Sequence, residues 1–125
     1  MCGIMGYYSF GNTTPDKDKI TTMFSLLESR GRDACGFAFI RDNNLVVKKD
    51  AIRSSEFVKT NDWKQLALPP SMILHTRMKT QGSEKNPANN HPLFSKNGIA
   101  IVHNGIIYND KEIFGKKERD AEVDS

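Results

Sequence analysis

Long apolar runs are missing from this chain. The most apolar stretches, Gly98–Val102 and Met72–Leu74, fall far short of the roughly 20 residues that cross a bilayer, so a helical membrane span is excluded. The N-terminus, Met1-Cys2-Gly3-Ile4, puts no basic segment ahead of an apolar one and does not read as a signal peptide, so a cytoplasmic location is expected. Cysteine is scarce. Two residues, Cys2 and Cys35, with no CxxC, cannot make a disulfide framework. The three histidines, His75, His91 and His103, are too widely spaced for a local motif such as HExxH, and neither a metal nor an organic cofactor is expected. Charge of one sign is also lacking: 18 Lys+Arg face 15 Asp+Glu, with Lys48-Lys49 and Lys116-Lys117 the only tight basic pairs. A nucleic-acid footprint is denser than that. There is no internal repeat and no low-complexity tract.

What remains is ordinary in amount: 125 residues, 38% hydrophobic and 9% aromatic, the composition of one globular domain or part of one. Residues 3–10 (GIMGYYSF) read as a strand that begins at once. Thr14-Pro15-Asp16 then opens a helix whose Ile20, Met23, Phe24 and Leu27 fall at i, i+3, i+4 and i+7, one apolar stripe for the core. Residues 29–36 (SRGRDACG) break that helix, with Cys35 expected as a packed thiol. Phe37–Ile40 and Leu45–Lys49 flank Asp42-Asn43-Asn44 as a hairpin. A helix over Ser54–Leu66 stops before Pro69-Pro70, and Met72–Thr76 resumes as a strand. Residues 80–97, rich in Gly, Pro, Asn and Ser, read as a long loop, a usual carrier of function. Gly98–His103 forms a further strand, and Asn109 with Glu112 resembles a capping pair opening a helix. The order describes an α+β domain dominated by sheet.

Three places can carry chemistry. Cys2 follows an initiator methionine, and its small side chain permits removal of Met1. That would leave a thiol and a free α-amine on one residue, the amine with a pKa of about 7.7–8.0 and the thiol near 8.5, so one group can take the other's proton. The plainer alternative is a small residue that merely starts a strand. His103-Asn104-Gly105 ends a strand, where the Asn104 amide and the Gly105 N–H can converge as two donors for an oxyanion; Asn-Gly is equally a hairpin turn signal. Arg77, at the end of His75-Thr76-Arg77, suits a bidentate pair with a carboxylate, or is simply solvated.

Taken together, Met-Cys-Gly-Ile at 1–4, SRGRDACGFA at 29–38, HTRMKTQGS at 75–83, NNHP at 89–92 and VHNGIIYN at 102–109 resemble the class II glutamine amidotransferase domain, an N-terminal-nucleophile (Ntn) hydrolase. The likeness is to the N-terminal glutaminase domains of isomerising glucosamine-6-phosphate synthases and, less closely, of amidophosphoribosyltransferases. It covers nearly the whole chain, as the N-terminal portion of a single such domain over residues 1–125. The resemblance implies hydrolysis of the L-glutamine side-chain amide to glutamate and ammonia, with Cys2 as nucleophile and its α-amine as base. It further implies an oxyanion hole of Asn104 and Gly105, an α-carboxylate site at Arg77, and a pocket lined by Thr80 and His91. Arg30 and Gly31 match the pair that orients the nucleophile. The ammonia would pass to a synthase domain or subunit absent from this chain. No nucleic acid and no membrane partner is implied.

The family also binds the substrate α-ammonium with an aspartate. Asp120, in Arg-Asp-Ala-Glu-Val, and Asp124, in Asp-Ser, are both available, and Asp124 is preferred for its greater distance beyond His103-Asn104-Gly105. Met78 stands where an aromatic often follows HTR, and Gln81 where a histidine often precedes the glycine. The family's fold is an αββα sandwich whose later elements follow that aspartate, so the expectation is a sandwich incomplete at its C-terminal end and of marginal stability. Competing readings are a glutamine-sensing or regulatory module of the same fold without turnover, favoured if Met1 is retained, and an Ntn hydrolase of other amides. A papain-like hydrolase is disfavoured, because its nucleophile would open a helix.

Overall fold

Gly3–Tyr8 form the first strand, β1, and Lys17–Leu26 the first helix, α1, in a computed structural model that describes residues 1–125. Asp16 caps α1 by accepting a hydrogen bond from the Lys19 N–H at 3.0 Å, which satisfies one of the helix's orphan donors. Ile20 and Phe24 point into the core as the stripe predicts, and Leu27 is half-buried, but Met23 is exposed. A 3₁₀ turn over Leu27–Arg30 follows.

Ala34–Arg41 (β2) and Asn44–Asp50 (β3) make the predicted hairpin. Its two-residue turn has φ of 50° at Asp42 and 59° at Asn43, the left-handed pair that a type I′ connection requires and that Asp and Asn tolerate. The helix expected over Ser54–Leu66 is instead two single turns, Ser54–Phe57 (α2) and Asn61–Lys64 (α3). The reason is Thr60, whose hydroxyl accepts from the Trp63 N–H at 3.4 Å and donates to the Phe57 carbonyl at 2.7 Å; a threonine that caps one helix has left the other. Ser71–Arg77 is β4.

The strands form one antiparallel sheet in the order β1-β4-β2-β3. Side chains alternate across it. One face presents Met5, Cys35, Phe37, Phe39, Met72 and Leu74 to Ile20, Phe24, Phe57 and Trp63 of the helices, and this is the hydrophobic core. Trp63 stacks among Phe24, Phe37 and Phe57 with ring centroids 5.4–6.2 Å apart. In β2 the large residues Phe37 and Phe39 alternate with small ones, Ala34, Gly36 and Ala38, on the opposite face, yet all are buried. Something therefore covers the second face too. It is the segment after β4, which passes so close that a Cβ on Gly36 would lie 2.5 Å from the His91 carbonyl oxygen.

That segment contains more than a loop: a 3₁₀ turn at Pro87–Asn89 and a short strand, β5, at Leu93–Phe94. The strand expected over Gly98–His103 is reduced to Ala100–Ile101 (β6), which pairs only with β5. The last helix, α4, is Asp110–Phe114. Asn109 does precede it, but its side chain makes no capping bond. The architecture is α+β.

Candidate functional site

The register of the sheet decides where Cys2 goes. Gly3 pairs with Thr76, so Cys2, one residue earlier, meets the chain where β4 ends. Its Sγ accepts from the Met78 N–H at 3.4 Å and lies 3.6 Å from the Met78 carbonyl oxygen. A side chain at Gly3 would put Cβ 2.5 Å from Thr76 Oγ1 and 2.7 Å from Leu27 Cγ, so the glycine after the cysteine is what lets the strand seat. The Met1 ammonium rests 3.0 Å from the Met78 sulfur. Cys35 differs sharply: it is 1% exposed and burial pushes its thiol far up, which leaves half-buried Cys2 as the thiol accessible to a substrate.

The backbone that meets Cys2 is held from behind by the SRGRDACG segment. Gly31 is buried, and a Cβ there would lie 2.4 Å from the Arg77 carbonyl carbon and 2.7 Å from the Met78 nitrogen. The Asp33 N–H donates to the Arg77 carbonyl at 3.0 Å, and the Lys79 N–H donates to the Asp33 carboxylate at 2.6 Å. Residues 31–33 thus grip Arg77–Lys79 from both ends. Arg30, beside Gly31, is exposed.

Arg77 lies on the sheet face away from the helices and is only 3% exposed. Burial works against its charge, and the carboxylates of Glu84, Asp33 and Glu122 offset it from a distance. Its direct partners are neutral: Nη1 donates to Asn90 Oδ1 at 2.8 Å, and Nη2 to the carbonyls of Gln81 and of Gly82, the latter at 2.9 Å. Asn90 in turn donates to the Glu84 carbonyl at 2.7 Å. Thr80 is exposed on the same loop.

A second cluster gathers around His103–Ile107. The Ile107 N–H donates to the Asp124 carboxylate, and His103 Nδ1 lies 2.6 Å from the Ser125 hydroxyl. Asp124 is 9% exposed and against this loop, whereas Asp120 is exposed. Asn104 and Gly105 are exposed at the head of the turn, with the His103 Nε2 2.8 Å from where a Gly105 Cβ would be. The clusters are joined by imidazoles. His75 Nε2 lies 3.1 Å from the His103 carbonyl oxygen, and the His75 and His91 rings stack with centroids 4.5 Å apart. Burial holds His75 down at about 4 and His91 at about 3, the latter further lowered by His75, His103, Arg77 and Lys49.

The structure therefore brings Cys2, Gly31 and Arg77 together at the end of β4, and Asp124 against Ile107 of the segment that carries Asn104 and Gly105. His91 stacks on His75. Arg30 and Thr80 are at the surface. Asp33, Asn89, Asn90 and Glu122 were not singled out by sequence. Asp33 and both asparagines sit inside the motifs SRGRDACG and NNHP, but their roles depend on contacts 13–46 residues away.

No family model matches the chain. Among curated proteins it is 38% identical over 117 residues to the isomerising glutamine–fructose-6-phosphate aminotransferase of Staphylococcus aureus, and 39% identical over 118 residues to that of Thermotoga maritima. The enzyme of the same name from Pyrococcus horikoshii is 38% identical over 115 residues. These alignments cover 93%, 90% and 90% of this chain. The chain spans about a fifth of the length of these relatives, 18–19%. Along nearly its whole length, then, this chain is similar to part of an isomerising glutamine–fructose-6-phosphate aminotransferase.

Proposed function

We propose that residues 1–125 are the N-terminal portion of a class II glutamine amidotransferase domain that hydrolyses the side-chain amide of L-glutamine. The fold in this reading is the Ntn αββα sandwich, incomplete at its C-terminal end, and the location is cytoplasmic. The observation that carries it is the seating of Cys2 on the Met78 backbone, 76 residues away in sequence. A nucleophile at the chain's beginning and a buried arginine without a carboxylate partner at hydrogen-bond distance share one strand end. That is the arrangement an amide of a free amino acid requires.

After removal of Met1, the Cys2 α-amine takes the thiol proton and the sulfur adds to the amide carbon. Asn104 and the Gly105 N–H hold the oxyanion; one such donor is typically worth about 2.7–4 kcal/mol. The C–N bond breaks as the Cys2 α-ammonium returns its proton to the leaving nitrogen, and ammonia departs, leaving a thioester on Cys2. Water, deprotonated by the same amine, then releases glutamate. Arg77 pairs with the α-carboxylate and Asp124 with the α-ammonium, while Thr80 and His91 border the side chain. Arg30 and Gly31 keep the Met78 amide against Cys2, Gly31 by leaving room for it. The ammonia goes to an acceptor domain or subunit outside this chain.

A second reading, glutamine sensing without turnover, draws on the Met1 ammonium placed against the Met78 sulfur, since an acylated Cys2 nitrogen cannot act as base. Intact mass before and after 6-diazo-5-oxo-L-norleucine tests both, with Cys2→Ala as control. Loss of Met1 and one adduct that vanishes in Cys2→Ala supports hydrolysis. Retained Met1 with no adduct overturns it in favour of sensing.

A further inference from the structure

Asp124 sits on an arm with no regular structure, residues 121–125, and a carboxylate on such an arm reads an ammonium only if the arm is fixed. A two-point contact on it lies two residues earlier. Asn89, fully buried, spends its whole amide there: Oδ1 accepts from the Glu122 N–H at 2.8 Å, and Nδ2 donates to the Glu122 carboxylate at 2.6 Å and to the Ser83 carbonyl at 3.1 Å. Gly82 makes room for this latch, since a Cβ there would lie 2.6 Å from Asn89 Nδ2 and 3.1 Å from Glu122 Cβ. The next residue, Asn90, accepts from Arg77. Adjacent asparagines thus hold the two opposite charges of the candidate site, one through the arm and one directly.

We propose that Asn89 is a positioning residue that sets Asp124 at a fixed separation from Arg77, and that the latch with Glu122 makes the site selective for amides carrying a free α-ammonium. This rests on the glutamine reading above. A truncated latch leaves residues 121–125 held only by buried Val123 and by the Asp124–Ile107 and Ser125–His103 contacts, so the arm loosens, while Arg77 and the Cys2 seat keep their direct contacts. The loss therefore falls on substrates that use Asp124 and spares those that do not.

The test compares kcat/KM for L-glutamine with that for glutaramate, the same amide without the α-amino group, and follows amide exchange at Ile107, whose N–H Asp124 accepts. In Asn89→Ala, glutamine turnover is expected to fall about tenfold, the scale of one hydrogen bond to a charged group. Glutaramate turnover stays level and Ile107 exchange rises. Glu122→Gln, which keeps an acceptor oxygen, retains the preference. Should buried Asn89 not tolerate alanine, Glu122→Ala serves instead, because Glu122 is exposed, and a smaller loss confined to glutamine is expected. An equal fall for both amides, an unchanged ratio, or unchanged Ile107 exchange overturns the proposal. If the unmodified chain turns over neither amide, the glutamine reading fails, and Ile107 exchange alone decides whether Asn89 fixes the arm.

Discussion

Residues 1–77 and residues 78–125 are held together by different means. The first region has a four-stranded ladder and an aromatic core in which Phe24, Phe57, Trp63 and Leu74 are at most 1% exposed. In the second, regular structure shrinks to two two-residue strands, a 3₁₀ turn and a five-residue helix. Its buried apolar side chains are Pro92 and Val123, against buried Asn89, Asn90, His91, Asp110 and Asp124. Apolar burial is non-directional and scales with area, so the first region gains stability. Hydrogen bonds contribute less net free energy but fix geometry, so the second region gains position. The candidate site lies along the seam, with Cys2 and Arg77 at the edge of the first region and Asp124 in the second.

The sharpest way to break this contrast is to cut each region at its centre. Trp63→Ala removes a ring packed on three others and the Nε1 bond to Thr21 at 2.9 Å. Truncations of that kind cost about 3–5 kcal/mol, a large share of the roughly 5–15 kcal/mol that a domain has. Loss of the cooperative urea transition seen by circular dichroism is expected. Asn90→Ala, which leaves Arg77 short of one acceptor, should cost about 1–3 kcal/mol and keep the transition. Equal losses in the two variants would show that the regions are one cooperative unit.

A smaller effect comes from the seam itself. His75 and His91 are neutral in the fold, with burial holding them at about 4 and about 3, against about 6.5 in an unfolded chain. Between those values the unfolded state binds more protons, so stability rises with pH there. The contribution is fully present above pH ~6.5 and is lost as pH falls toward 4. The groups facing the stack, Arg77, Lys49 and His103, include no carboxylate to compensate a new charge. We expect the urea midpoint to drop between pH 7 and 5, with amides of residues 78–125 exchanging before those of the sheet. A flat midpoint over that range would mean the seam is not where the regions part.

The same contrast explains what the sequence discloses. Strand β1, the capped start of α1, the Asp-Asn hairpin and β4 are legible because each is written in local periodicity or turn chemistry. The break at Thr60 is missed because a hydroxyl cap inside an apolar run leaves the hydrophobic pattern intact. Met23 is misplaced because α1 buries a stripe narrower than its spacing suggests. Residue chemistry and the resemblance together name Cys2, Arg77, Asn104 and Gly105, while Asp33 and Asn89 are silent: a side-chain amide or carboxylate that grips backbone 33–46 residues away has no period to detect. Polar positioning is the part of this molecule that only three dimensions reveal.

The smallest expected effect sharpens the meaning of a polar contact. Lys48 and Asp62 approach to 2.5 Å, as short as any polar contact in the second region with a carboxylate, yet their side chains are 47% and 59% exposed. Water already solvates both charges, so bringing them together gains little Coulomb energy and fixes two mobile side chains. Exposed pairs of this kind contribute about 0.2–1 kcal/mol. Lys48→Ala should therefore shift stability by less than about 1 kcal/mol and leave Cys2 reactivity with iodoacetamide unchanged, despite sitting on an edge strand of the main sheet. Raising salt to 1 M should erase most of the difference, because screening acts within about 3 Å at that strength. A loss as large as that of Asn90→Ala would show that proximity alone sets the value of a polar contact here. Burial would then not separate the contacts that hold the site from those that decorate the surface.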